Sequence, residues 1–326
     1  MPLPRNAIRQ LLVCILLSVM FYAAWAAYGG MGDVWAAAKL LGPDGWAIIL
    51  GLSLINYLLR FIRWDYYLRR LGYQVPTGAN ISAYLAGFGL TTTPGKVGEA
   101  VRSVYLKRFN VRYIHSLSAF FVERLIDLIS MIIVASLAAY AFENMRWLVG
   151  VTFVSVVAVL PLMHSQALYG WLDRLRQGLR SARLRSMGEH FLNMLSSSVE
   201  LLRSAPLYAG LAIGLLAWAA EGYALYVVLD RMGAETPFML AAGIYGVSIL
   251  AGVVSFIPGG LGGTELVMGS LLILSGVDAP LAVSAVIICR LATLWFAVAI
   301  GLTFLVGIEF GGQGGIAIDE LKGDSD

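Results

Sequence analysis

Long apolar runs, rather than an alternating pattern, dominate the chain. A helix needs about 20 apolar residues to cross a bilayer, and most of these runs approach or exceed that length. Continuous runs favour helices over barrel strands, because a helix satisfies its own backbone groups in lipid. The pattern predicts an all-α, polytopic membrane protein whose apolar segments are Ile8–Tyr28, Trp46–Ile62, Ala79–Thr93, Ile114–Tyr140, Trp147–Met163, Leu207–Leu229, Phe238–Ile257, Leu266–Leu274 and Leu281–Gly307.

The segment Ala79–Thr93 is too short to span comfortably, and basic residues flank it on both sides. Basic loops favour the cytoplasm, so a full crossing here would place two basic stretches in opposite compartments. A re-entrant hairpin over Ala79–Leu106, with its tip at Thr93-Pro94-Gly95, removes the conflict. The basic residues that set this orientation are Arg5, Arg9, Arg63, Arg69, Arg70, Lys107, Arg108, Arg112, Arg174, Arg176, Arg180, Arg183 and Arg185.

The same reasoning predicts a second hairpin over Phe238–Leu274, with its tip at Pro258-Gly259-Gly260 and entry from the opposite side. The result is a single membrane domain over 1–310 with about six full spans, two opposed hairpins and both termini in the cytoplasm. An amphipathic cytoplasmic segment is predicted over 166–203, with a solvated linker helix as the alternative. An acidic cytoplasmic tail is predicted over 311–326.

The two hairpins also resemble one another in sequence, which predicts an internal repeat. Arg124 follows Pro94 by 30 residues, and Arg290 follows Pro258 by 32. Each proline precedes a glycine, and each arginine lies in a long apolar span. Because the hairpins enter from opposite sides, this is an inverted-topology repeat over about 8–142 and 147–307, as in transporters with a midplane binding site.

Composition supports a membrane protein and excludes several function classes. Hydrophobic residues make up 59% of the chain, charged residues make up 13%, and the mean hydropathy is +0.78. The net charge of +3 is too small to indicate nucleic-acid binding. Two cysteines and three scattered histidines form no disulfide framework or metal signature. We expect neither a metal nor another cofactor, and no motif for ATP or for an activated nucleophile occurs.

Charged residues in or beside apolar segments are the candidate functional residues. A charge at the bilayer centre costs about 2.5–3.5 kcal/mol even on the lenient scale, so these residues face one another or a wet cavity. Internal ion pairs, such as Glu123 with Arg102, are one interpretation. The other is a cavity for an anionic lipid group, built from the two tips and these charges: Pro94, Gly95, Lys96, Glu99, Arg102, Glu123, Arg124, Asp127, Pro258, Gly259, Gly260, Glu265 and Arg290.

Arg60, Arg63 and Trp64 end the second predicted span at the cytoplasmic side. Interfacial tryptophan and snorkelling arginine commonly anchor a span in this way. Contact with a lipid headgroup is the alternative interpretation, and the sequence does not separate the two.

Several ordered motifs together resemble the flippase-like membrane family that is typified by the transmembrane region of lysylphosphatidylglycerol synthase. They are Arg60-Phe61-Ile62-Arg63-Trp64, Pro94-Gly95-Lys96-Val97-Gly98-Glu99 with Arg102, Glu123-Arg124 with Asp127, and Pro258-Gly259-Gly260-Leu261-Gly262. The resemblance implies lipid translocation. The synthase joins this region to a soluble aminoacyl-transfer domain, and we expect no such domain here and no synthase activity.

The combined prediction is a lipid flippase or transporter for an anionic or phosphate-bearing lipid, not an enzyme, in the plasma membrane, the inner membrane of a bacterium. The partner is a membrane lipid and not a nucleic acid. An intramembrane enzyme that acts on a lipid-linked substrate is one alternative, with the same carboxylates as acid and base. A structural partner of a lipid-modifying enzyme is another. The sequence leaves open the lipid, the direction, the energy source and the oligomeric state.

Overall fold

Helices are the only regular elements in the part of the chain that the computed structural model describes. The described residues are 31–93, 98–140, 165–178, 181–255 and 257–310, with single positions between 147 and 161. Within them no strand occurs, which confirms the all-α prediction. The predicted span Ile8–Tyr28, most of Trp147–Met163, the tip residues Pro94, Gly95 and Lys96, and the tail 311–326 lie outside the described residues.

Eleven α-helices follow one another along these residues. They are α1 Met31–Arg70, α2 Thr77–Phe88, α3 Val101–Leu106, α4 Tyr113–Ala135, α5 Gln166–Gln177, α6 Ala182–Leu201, α7 Ser204–Arg231, α8 Phe238–Val254, α9 Gly263–Leu274, α10 Ala279–Arg290 and α11 Phe296–Phe310. Short 3₁₀ turns cover Lys107–Phe109, Ser136–Tyr140 and Pro258–Gly260. A π-helical turn, Leu291–Trp295, joins α10 to α11.

Three stretches in the described part are long and apolar enough to cross a membrane: Gly32–Arg70, Ser204–Arg231 and Ala279–Glu309. They contain the predicted spans Trp46–Ile62, Leu207–Leu229 and Leu281–Gly307. A fourth predicted span, Ile114–Tyr140, corresponds to α4 and the 3₁₀ turn after it, and it contains Glu123, Arg124 and Asp127. The chain is therefore a multi-pass membrane protein, and the total of six spans stays a prediction.

Helix α1 begins earlier than the apolar pattern indicates. The apolar segment predicted here begins at Trp46, but the helix already starts at Met31. Gly42 interrupts it with φ 66° and ψ 170°, and Pro43 opens the second piece. Proline is tolerated in the first turn of a helix, where its missing N–H leaves no bond unmade. The helix therefore extends beyond the predicted apolar segment at this end, and the Gly-Pro break lies inside it.

Each predicted hairpin consists of two helices that pack against each other across a break. Helices α2 and α3 form the first hairpin, and α8 and α9 form the second. The break of the second hairpin needs glycine, because Gly259, Gly260 and Gly262 have φ of 66°, 67° and 82°. Side chains disfavour this region by roughly 1–2 kcal/mol per residue. The sides from which the hairpins enter stay a prediction.

The two breaks meet inside the bundle. A methyl group placed on Gly259 would lie 3.7 Å from Cγ2 of Thr92, at the first break, and 3.6 Å from Cδ2 of Leu294. Around this point α7 packs along α1, α4 and α8, while α2 packs along α11. The architecture therefore brings the two glycine-rich breaks together, although more than 160 residues separate them in sequence.

The predicted amphipathic segment 166–203 folds as two helices, α5 and α6, rather than one. The hydroxyl of Ser118 on α4 donates a hydrogen bond of 2.8 Å to the carbonyl oxygen of Met194 on α6. Leu195 and Ser198 are buried beside it. Helix α6 is therefore attached to the bundle on one face, which a freely solvated linker helix would not be.

Candidate functional site

A cluster of seven charged side chains lies inside the bundle. Helix α1, the turn before α3, α3 itself and α4 supply its members, which are Arg60, Arg63, Glu99, Arg102, Glu123, Arg124 and Asp127. Six are buried, and the side chain of Arg124 is 21% exposed. Helical spacing explains the local arrangement, because residues three or four apart share a face of α1 or α4. Four arginines face three carboxylates, so the cluster has a formal charge of +1.

Asp127 contacts three of the arginines. Its Oδ1 accepts a hydrogen bond of 2.5 Å from Arg63 Nη2, and its Oδ2 lies 3.5 Å from Arg60 and 3.1 Å from Arg124. The indole Nε1 of Trp218, on α7, also donates to Oδ1 at 3.2 Å. Asp127 therefore ties α1, α4 and α7 together.

Glu123 pairs with Arg102, as the ion-pair interpretation of the sequence predicts. The hydroxyl of Tyr84 donates to Glu123 Oε1 at 2.7 Å. Aromatic rings surround Arg102: its guanidinium carbon lies 3.9 Å from the ring centre of Trp64 and 5.0 Å from that of Phe120. With 1% of its surface exposed, Arg102 has little access to a ligand. Its arrangement is that of a structural ion pair with cation–π support.

Arg60, Arg63 and Trp64 lie inside the bundle, not at its surface. Their exposures are 6%, 0% and 0%. Trp64 Nε1 donates to Oδ1 of Asn80 on α2 at 3.0 Å. Interfacial anchoring does not fit these positions, because α1 continues to Arg70 before it ends. Their contact with a headgroup stays a prediction.

The second hairpin contains a smaller version of the same contact. Arg290 Nε donates to Glu265 Oε1 at 2.7 Å, and Arg290 Nη2 donates to the carbonyl oxygen of Gly259 at 2.8 Å. Arg290 follows Glu265 by 25 residues, and Arg124, whose Nη2 lies 3.6 Å from Glu99 Oε2, follows Glu99 by the same separation. Each half therefore contains an arginine–glutamate contact with the same sequence separation, as an internal repeat predicts. The boundaries of the repeats stay a prediction.

Glu265 also closes the second tip from within. Its Oε2 accepts a hydrogen bond of 2.7 Å from the backbone N–H of Gly262, so this carboxylate caps the start of α9. The sequence predicts that the two tips help to build a site for an anionic group, which the free backbone amides at a helix start would favour. At the second break one of those amides is already bound to Glu265, which weakens that part of the prediction.

A cavity of 340 Å³ lies where the two breaks meet. Most of its wall is apolar, and it takes residues from both halves of the chain. Five predicted site residues line it, namely Arg124, Asp127, Gly259, Gly260 and Arg290. Its other lining residues are Thr93, Phe121, Leu125, Leu128, Met131, Trp218, Ile249, Gly252, Val253, Ile257, Thr264 and Leu294.

The cavity divides the predicted site residues into two groups. Glu99, Arg102, Glu123 and Glu265 are nearly fully buried and support the residues that line it. Pro258 begins the turn that carries Gly259 and Gly260. The described members of the predicted site are thus cavity-lining residues and neighbours that contact them, whereas Pro94, Gly95 and Lys96 lie outside the described residues.

Some hydrogen-bonding atoms at the cavity have no hydrogen-bond partner among the described residues. They are Nε and Nη2 of Arg124 and Oδ2 of Asp127. The ion-pair distances between Arg124 and its carboxylates, 3.1–3.6 Å, are too long or too poorly aligned to satisfy these donors. Buried donors of this kind normally bind water or a ligand.

Sequence reasoning missed Trp218. It lines the cavity and donates to Asp127, and it lies near the middle of the predicted span Leu207–Leu229. Tryptophan in membrane proteins concentrates at the interfaces, so a tryptophan in the middle of a span was an available signal. Thr93 and Thr264, which flank the two breaks, gave no such signal.

Comparison of the sequence with known proteins identifies the family of this chain. The model of the lysylphosphatidylglycerol synthase transmembrane region matches residues 10–301. A UPF0104 membrane protein of Methanothermobacter thermautotrophicus is 23% identical over 89% of the chain and 93% of its own length. A UPF0104 membrane protein of Pyrococcus horikoshii is 25% identical over 76% of the chain and 82% of its own length.

A phosphatidylglycerol lysyltransferase of Staphylococcus haemolyticus is 25% identical over 88% of the chain, and the match covers 31% of that protein. The match therefore covers most of this chain and about a third of that protein. Because that model matches most of this chain, the chain belongs to the family of the lysylphosphatidylglycerol synthase transmembrane region.

Proposed function

We propose that this protein is a lipid flippase or transporter that moves an anionic or phosphate-bearing lipid across the membrane. The observation that carries the proposal is the cavity itself. Two helix breaks from opposite halves of the chain meet at a mainly apolar space, and Arg124 and Arg290 both line it. Transporters with inverted repeats bind their substrates at such a meeting point of broken helices.

The charge at the cavity suits a lipid phosphate. The cluster that contains Arg124 has one cation more than it has carboxylates, and Arg124 has donors without hydrogen bonds among the described residues. A guanidinium presents paired N–H groups that match the oxygens of a phosphate. An anionic headgroup would fill these donors and neutralise the excess charge.

The shape of the cavity suits the apolar part of a lipid. Val253 and Ile257 belong to its wall, yet 43% and 45% of their surfaces are exposed. In a membrane protein, exposed apolar residues of a helix contact lipid. The cavity therefore adjoins the surrounding lipid on the side of α8, and a lipid would enter sideways with its headgroup directed toward Arg124.

Translocation needs no covalent step, and the protein is therefore not an enzyme in this proposal. The breaks supply the conformational change, and movement of the two hairpins would open the cavity alternately to the two leaflets. The drive would be a gradient, a coupled proton or ion, or simple equilibration between leaflets. The location is the plasma membrane, with both termini in the cytoplasm.

The test is to reconstitute the full chain into vesicles that carry fluorescent phosphatidylglycerol in both leaflets. A membrane-impermeant quencher then reports the lipid that reaches the outer leaflet. We expect phosphatidylglycerol to cross faster than in protein-free vesicles. We expect neutral phosphatidylcholine to cross more slowly than phosphatidylglycerol in the same protein-containing vesicles. Unchanged translocation would refute the proposal. A change in lipid mass would point to an enzyme, and a stably co-purifying lipid-modifying enzyme without translocation would point to a structural partner.

A further inference from the structure

A second apolar groove lies between the start of α4 and the middle of α6, away from the central cavity. Its volume is 520 Å³. Its wall contains five apolar or aromatic side chains and two basic ones, which are Tyr113, Ile114, Leu117, Phe191, Met194, Arg112 and His190. It shares no lining residue with the central cavity.

The groove continues into an exposed apolar stripe on α6. Leu184, Met187 and Phe191 recur at helical spacing, and 50%, 62% and 49% of their surfaces are exposed. Further along the same face of α6, Leu195 is buried against the bundle, and the carbonyl oxygen of Met194 accepts a hydrogen bond from Ser118 on α4. A contiguous exposed apolar stripe beside a membrane bundle marks a surface that contacts something apolar.

The charges around the groove favour an anionic occupant. Arg112 and His190 are exposed at its edge, and its lining among the described residues contains no acidic side chain. Lys107 and Arg108 are exposed in the turn that precedes Arg112. The acidic Glu189, next to His190, lies 3.6 Å from Arg176 on α5 and forms an ion pair with it.

We propose that this groove binds one anionic phospholipid of the surrounding leaflet. The headgroup phosphate contacts Arg112 and lies beside His190, whose Nδ1 donates to the carbonyl oxygen of Ser186 at 2.7 Å, and the upper part of an acyl chain packs against Ile114, Leu117 and Phe191. Both features of the groove, a basic edge and an apolar floor, match the two ends of that ligand. The site holds a lipid against α6 and is separate from the proposed transport cavity.

The test uses light-driven crosslinking in vesicles with equal amounts of phosphatidylglycerol and phosphatidylcholine. Phe191→p-benzoylphenylalanine places a photoreactive group in the groove, and mass spectrometry identifies the attached lipid. Leu58→p-benzoylphenylalanine, at a position on α1 that is 56% exposed, is the matched control that reports bulk lipid. We expect phosphatidylglycerol to exceed phosphatidylcholine about fivefold at 191, relative to the ratio at 58, which corresponds to about 1 kcal/mol for one basic residue.

Charge removal decides whether the enrichment comes from the basic edge. Arg112→Gln together with His190→Gln should return the ratio at 191 to the ratio at 58, whereas Arg70→Gln, an exposed arginine outside the groove, should leave the enrichment intact. Arg112→Lys should retain most of it, since the charge stays. Equal ratios at 191 and 58 in the unaltered background, or crosslinks at 191 to a second copy of the chain, would overturn the proposal.

Discussion

Replacing Arg124 with glutamine removes a cavity-lining charge, while Asp127 and Glu123 keep closer arginine partners and Glu99 keeps its hydrogen bond of 2.7 Å from Thr91. Asp127 retains Arg63 at 2.5 Å, and Glu123 retains Arg102. The formal charge of the cluster falls from +1 to 0. We therefore expect Arg124→Gln to lower the free energy of unfolding by only about 1 kcal/mol, in the range of partly exposed ion pairs.

The same change should strongly affect transport. Arg124 has donors without hydrogen bonds among the described residues, and the proposal assigns them to a lipid phosphate. A hydrogen bond to a charged group contributes about 1.5–3 kcal/mol, which corresponds to roughly a tenfold to hundredfold loss of rate at limiting lipid. The transport rate of Arg124→Lys should lie between those of the unaltered protein and Arg124→Gln, because lysine keeps the charge but lacks the planar pair of donors.

Arg102→Gln is the matched control, because it removes the same charge from the same cluster at a position away from the cavity. Arg102 is 1% exposed, pairs with Glu123 and lies against three aromatic rings. Its loss leaves a buried carboxylate without its closest partner, which costs about 3–5 kcal/mol. We expect Arg102→Gln to lose stability and activity together, and Arg124→Gln to lose activity alone.

The assay pairs thermal unfolding in detergent with lipid translocation in vesicles for the same preparations. Added phosphatidylglycerol should raise the midpoint temperature of the unaltered protein more than that of Arg124→Gln. The reasoning fails if stability falls equally in Arg124→Gln and Arg102→Gln, since Arg124 would then serve only in internal pairing. It also fails if Arg124→Gln transports at the normal rate.

Three further predictions follow from the breaks and the loops. Arg290→Gln should lower the unfolding midpoint more than Arg124→Gln, because it removes the hydrogen bonds that Arg290 donates to Glu265 Oε1 and to the Gly259 carbonyl oxygen. Equal midpoints would contradict this. Gly259→Leu should abolish translocation with the protein still in the membrane, whereas Gly276→Leu, also at positive φ but with open space around it, should cost stability alone. Cysteines at Gly72 and Ala279 should be labelled from opposite sides, the first from the cytoplasm, and labelling of both from one side would reject the predicted topology.

Much of the fold follows from sequence, because the bilayer imposes strong requirements on length and polarity. The described spans occur where apolar runs of sufficient length predict them. The second hairpin breaks at Pro258–Gly260 because proline and glycines with positive φ interrupt the helix there. The Glu123–Arg102 pair was also predictable, because two opposite charges in a membrane interior have a lower free energy when they pair than when each faces lipid.

The rotation and the ends of the helices were not predictable. An arginine–tryptophan pattern at the end of an apolar run is the same for an interfacial anchor and for a helix that continues inside the protein. Arg63 and Trp64 are of the second kind, because α1 extends to Arg70 and tertiary packing buries this turn. Likewise, Arg102 and Arg124 both look like cavity residues in sequence, and only the packing of α3 and α4 in the bundle separates them.

Stability alone does not account for the charge cluster. Replacing a buried ion pair with well-packed apolar residues is often neutral or stabilising, so a purely structural role would be met at lower free energy by leucine and phenylalanine. The cluster instead keeps four arginines against three carboxylates and leaves donors of Arg124 without hydrogen bonds among the described residues. An imbalance of this kind costs free energy in the empty protein. In the proposed function a bound anion would remove that cost, and this is the main physical argument for assigning the cavity to an anionic lipid.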